Sequence, residues 1–180
     1  MTPEVLVIAI IRIAGSLPVL RWALAGGILA VLVDLSDLLL RDTLDLGGVP
    51  DYQGLDKWLD QVYMACFLLV ALRWQGVERR VAIVLYAWRA IGFVLFEITA
   101  DRGLLLFFPN VFEFWFLAVA ALHRFRPGFA WTGPRLVVAL AALGGLKELH
   151  EWALHGGRIF DGISSTEFLE LVWRAISGGP

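Results

Sequence analysis

The chain has 180 residues, 59% of them hydrophobic and 18% charged, and a mean hydropathy of +0.73, more apolar surface than one soluble core of this size buries. A net charge of -2, with no basic patch interleaved with aromatics, argues against a nucleic-acid partner. The single cysteine, Cys66, excludes an intrachain disulfide or a thiolate metal cluster and reads as a packing residue.

Val5–Leu20 is the first apolar run, and it carries Arg12, Gly15 and Pro18. It either spans a membrane with a kink or dips in and returns, and its start lacks the basic flank and cleavage site of a signal peptide. Then come Ala23–Leu39, Leu59–Leu72, Val81–Ala100, Leu104–Leu122 and Leu136–Leu154. These runs are long and unbroken, without strand-like alternation, so helices are expected rather than a barrel. Gly47–Pro50, Arg126–Gly128 and Gly133–Pro134 punctuate the connections. The predicted fold is all-α: a polytopic integral membrane bundle of about six transmembrane helices, with five plus a re-entrant arm as the alternative. Residues 1–180 form a single transmembrane domain, multi-pass in a cell inner or plasma membrane. Residues 158–180, where Ser164 and Glu167 have capping-box spacing, are expected as a short amphipathic interfacial tail, or a helix docked on the bundle.

The charges divide between two faces. Arg21, Arg73, Arg79, Arg80, Arg124, Arg126 and Arg135 fall on one, which the positive-inside rule makes cytoplasmic. Arg41, Lys57, Arg102, Arg158 and Arg174 fall on the other with most of the carboxylates. Ionisable residues within the runs gather toward that acidic face: Asp34 and Asp37, Asp56 and Asp60, Arg89 and Glu97, Glu113, and Lys147, Glu148, Glu151 and His155. Charged groups are costly in a bilayer and mark sites or pathways. A shared polar cavity is the reading that places them all.

Asp34 and Asp37 are three apart and Asp56 and Asp60 four apart, so each pair shares a helical face. Such hard oxygen donors suit a divalent metal, with magnesium or manganese ahead of calcium. The competing reading is carboxylates solvated at helix ends. Arg12 or Arg89 is a candidate partner for Glu97 and Glu113, and Lys147 for Glu151; a purely structural ion-pair network is the alternative there. His123 is expected at the interface. His150 and His155 are five apart, which turns them about 140° from each other and defeats a zincin-type helix.

Asp34-x-x-Asp37 ending one helix and Asp56-x-x-x-Asp60 starting the next resemble the signature of the CDP-alcohol phosphotransferase family, although Leu38, Arg41 and Tyr52 depart from its glycine and arginine pattern. The resemblance implies a membrane enzyme of about six helices whose Asp34, Asp37, Asp56 and Asp60 hold two metal ions. Asp60 would be the general base on an acceptor alcohol attacking a CDP-linked phosphate. Arg41, Lys57 and Lys147 are expected to balance substrate phosphate, and Glu113, Glu148, Glu151 and His155 to complete the substrate pocket. Expected partners are membrane lipids, a lipid or small-molecule substrate, and a second copy in a homodimer. The alternatives are a cation or proton transporter using the same carboxylates, and a non-enzymatic membrane assembly subunit.

Overall fold

Thr2 opens the first helix: its hydroxyl accepts the Val5 amide at 3.4 Å, and Pro3 occupies the first turn, where a missing N–H does no harm. The computed structural model describes residues 2–36, 48, 52–99 and 107–151. Helix α1 (Pro3–Ser16) ends just before Pro18, which cannot donate to a continuing ladder, and the chain tightens into a 3-10 turn at Leu17–Leu20. The Pro18 carbonyl accepts the amides of Arg21 and Trp22 at 3.1 and 2.9 Å. Helix α2 (Ala23–Leu35) then returns alongside.

Gly26 makes that hairpin. A Cβ there would lie 2.3 Å from the Val19 nitrogen and 2.4 Å from the Pro18 carbonyl carbon, so only a bare backbone fits against the turn. The first arm is therefore a helix with its bend at Leu17–Leu20, in line with the kink expected from Pro18. Ser36 closes α2, donating its amide to Leu32 and Val33 and its hydroxyl to the Val33 carbonyl at 2.8 Å.

Four more helices follow: α3 (Tyr52–Ala71), α4 (Gly76–Thr99), α5 (Val111–Phe125) and α6 (Gly133–Glu151). Gly76 enters α4 with a positive φ of 62°. Helix α5 starts later than the apolar run from Leu104, because Pro109 interrupts the ladder and Val111 is the first helical residue beyond it. Neighbours run antiparallel: Trp58 meets Phe93, Tyr86 meets Phe112, and Lys147 lies over Phe114.

The fold is all-helical, with six α-helices and no strand among the described residues. The core is aromatic. Phe67 and Phe116 stack at 4.1 Å, Trp74 stacks on Phe116 at 5.2 Å, and Tyr63 meets Phe67 edge-on. Met64, Phe112, Trp115 and Val119 are fully buried around them, and Cys66 is buried with a free thiol. The outer faces are also apolar: Ile10, Val84, Ile98, Val137 and Leu149 are 60 to 75% exposed. Two stretches, Pro3–Leu20 and Gly76–Thr99, are long and apolar enough to cross a membrane; Ala23–Leu35 is apolar but shorter. Helix number thus follows the sequence expectation, and two of the expected crossings meet the length and composition test. The tail expected at 158–180 lies outside the described residues.

Candidate functional site

Arg12 sits near the middle of an apolar helix, where an isolated guanidinium is costly to bury. It is only 3% exposed, and the antiparallel hairpin sets it level with the end of α2 and the start of α3. Three carboxylates meet it there. Arg12 Nη1 donates to Asp56 Oδ1 at 2.9 Å, Nη2 donates to Asp60 Oδ1 at 2.8 Å, and Asp34 Oδ1 pairs with Nη2. Lys57 closes the cluster, its Nζ 2.7 Å from Asp56 Oδ2 and 3.5 Å from Asp60 Oδ2.

Each position has a local cause. Asp56 and Asp60 are one turn apart on α3, so both look toward α1. Asp34 reaches the same point because Gly26 lets α2 lie close on the 3-10 turn. At the start of α1, the buried Glu4 accepts the Gly48 amide at 2.9 Å while Thr2 donates its hydroxyl to the Gly48 carbonyl, tying Gly48 to the first turn of the helix. Ser16 donates its hydroxyl to the Arg12 carbonyl at 2.7 Å.

Asp56 and Lys57 precede the apolar run of α3, and their pKa values move apart. Burial alone would push the Asp56 carboxyl up, but Lys57 and then Arg12 outweigh it and hold Asp56 below its ordinary value. Burial would lower Lys57, yet Asp60 and Asp56 raise it. Both therefore stay ionised at neutral pH. Three aspartates face Arg12 and Lys57 directly, and Arg89 lies within electrostatic reach of Asp60 and Lys57.

One oxygen from each of Asp34, Asp56 and Asp60 lies within 4.8 Å of the other two. That spacing fits a common cation bound at about 2.3–2.6 Å, and a modest inward shift of the side chains suits one bound at about 2.0–2.1 Å. The donor set is all oxygen, so the residues fit a hard divalent ion.

A second cluster continues inward along α3. Tyr63, three residues after Asp60, donates its hydroxyl to Glu113 Oε2 at 2.9 Å. Asn110 Nδ2 donates to the Tyr63 oxygen at 3.0 Å and to Glu113 Oε2 at 3.1 Å. Lys147, Asp60 and Arg89 all lie within electrostatic reach of Glu113, so the two clusters form one polar belt. Arg89 donates to the Phe108 carbonyl at 2.9 Å, while its Nε and Asn110 Oδ1 find no hydrogen-bond partner among the described residues.

Of the sequence candidates, Asp34, Asp56, Lys57 and Asp60 come together, and Glu113 and Lys147 face the same belt from α5 and α6. Glu148 and Glu97 are exposed instead. Asp37, Arg41, His155 and the side chain of Glu151 lie outside the described residues. Two members were not assigned from sequence: Arg12 as the hub, and Tyr63, whose i,i+3 spacing from Asp60 was the available signal. No protein-family model matches this chain, and no curated protein or solved structure matches it at significance.

Proposed function

We propose that this chain is a polytopic integral membrane protein of six spans whose acidic end holds a divalent cation and transfers a phosphoryl-linked group from a CDP-alcohol to a lipid or small alcohol. The membrane part is supported by the two crossing-length helices and by the apolar outer faces of the others. The observation that carries the site is the convergence of Asp34, Asp56 and Asp60 from two helices on one point. Asp34, Asp56 and Asp60 would hold a divalent ion, which would supply positive charge against the phosphate being transferred.

In this reading Arg12 holds the three carboxylates in place until the cation competes for them. Asp60 accepts the proton of the acceptor hydroxyl, for which it must leave Arg12 Nη2 at 2.8 Å. Lys57, held by Asp56, balances phosphate charge. Glu113, fixed by Tyr63 and Asn110, orients the acceptor, and Lys147 offsets its charge.

The test uses the protein in lipid nanodiscs. Manganese binding read by electron paramagnetic resonance should weaken at least tenfold in Asp56→Asn, since losing even a residue that only orients a metal ligand costs about that much. Release of CMP from CDP-alcohols with magnesium or manganese should vanish in Asp60→Asn. No manganese binding by the wild type refutes the metal site; binding without CMP release from any CDP-alcohol refutes the transfer.

One observation favours a second reading, the assembly subunit: Arg12 ties α1, α2 and α3 together by itself. That role predicts loss of folding in an Asp34→Asn, Asp56→Asn double variant with no metal present.

A further inference from the structure

The end of the bundle opposite the aspartates carries a cavity of about 400 Å³, within the range of small-ligand sites, lined by Gln75, Glu78, His123, Arg126, Phe129 and Trp131 among others. Its walls are braced. Glu78 Oε1 accepts Trp131 Nε1 at 2.8 Å, Glu78 Oε2 lies 2.7 Å from His123 Nε2, and the Glu78 carbonyl accepts Trp115 Nε1 at 3.2 Å. Trp131 packs on Trp115 and Phe129, each at 5.0 Å, and Trp74 meets the His123 ring edge-on. The pocket is thus built from a hydrogen-bonded aromatic frame joining α4, α5 and the α5–α6 connection.

The end of the bundle around the cavity is basic. Glu78 is the one carboxylate among the lining residues, and both its oxygens are already engaged. Arg126 lines the cavity, and Arg79, Arg80, Arg124 and Arg135 stand exposed on the same end of the bundle. The first turn of α4 contributes Val77 and Glu78 to the wall, adding the partial positive charge of a 24-residue helix. An anion is attracted here, and the aromatic side of the pocket fits the glycerol or acyl part of an amphiphile.

We infer that this cavity binds a phosphate-bearing anion, with Arg126 as its principal ligand and Phe129 and Trp131 against its carbon portion. Two sources share that chemistry: the headgroup of an anionic phospholipid, and a soluble phosphate ester. The inference is independent of the aspartate cluster, which lies at the other end of the bundle.

Native mass spectrometry of the full chain released from neutral detergent measures it, with phosphatidylglycerol, phosphatidylcholine and glycerol phosphate as separate probes. The wild type should retain phosphatidylglycerol over phosphatidylcholine, and Arg126→Gln should weaken retention about fivefold, the effect of one arginine near a headgroup. Arg124→Gln, which changes the same charge outside the cavity, should have less than half that effect. Competition by glycerol phosphate at millimolar concentration identifies a soluble ester as the ligand; displacement only by phosphatidylglycerol identifies the lipid. Equal losses in the two variants mean diffuse attraction by the basic end, and overturn the inference. So does binding of neither phosphate probe by the wild type.

Discussion

Replacing Arg12 with methionine keeps most of the apolar stem and removes only the guanidinium. Charge centres about 4 Å apart interact by about 4 kcal/mol at an effective dielectric of 20. Three such partners make a gross attraction of about 12 kcal/mol, set against a desolvation penalty of several kcal/mol per buried ion. The loss does not reach that sum, since the three contacts share one charge and the orphaned carboxylates take up protons or water. A net destabilisation of about 3–5 kcal/mol is expected, the usual result of removing one partner from a buried ion cluster. The three carboxylates then keep Lys57 as a direct ion-pair partner, with Arg89 in electrostatic reach of Asp60. Adding Asp60→Asn to Arg12→Met should recover part of the loss. Manganese at a hundred times its dissociation constant should restore about 2.7 kcal/mol to Arg12→Met. Equilibrium unfolding in mixed micelles with rising dodecyl sulfate, followed by circular dichroism, reads all three quantities. An Arg12→Met stability within about 0.5 kcal/mol of the wild type, the range of an ordinary surface change, refutes the buried-hub account.

Three further outcomes use the same unfolding measurement. Gly26→Val places a branched side chain where even a Cβ falls 2.3 Å from backbone, so the hairpin must open, with a loss of more than about 3 kcal/mol. Phe116→Ala removes a fully buried ring stacked on both Phe67 and Trp74, and should lower stability by about 3–5 kcal/mol. Tyr63→Phe deletes the hydroxyl that donates to Glu113 and should lower stability by about 1.5–3 kcal/mol, with Glu113→Gln abolishing most of the difference.

Much of the helical layout was legible because apolar runs betray helices whatever they pack against. Ala23 and Ala71, for example, lie within a residue of the predicted limits of their runs. The gathering of acidic groups at one end was legible for the same reason: a turn every few residues fixes how far along each helix a side chain sits. Which partner each charge takes was not. Arg12 and Arg89 were equivalent as partners for Glu97 and Glu113, whereas Arg12 pairs with Asp34, Asp56 and Asp60 and Glu97 is exposed. Lys147 and Glu148 are adjacent in sequence, but only the facing of α6 decides that the lysine is buried and the glutamate is not. His123 read as an interfacial residue, and its bond to Glu78 spans 45 positions that no local pattern connects.

The stack of Tyr63, Phe67, Phe116 and Trp74 stands between the aspartate cluster and the Glu78 cavity, and none of the four is more than 8% exposed. Rings in van der Waals contact leave no room between them for a hydrated ion, so these four side chains part the two polar clusters.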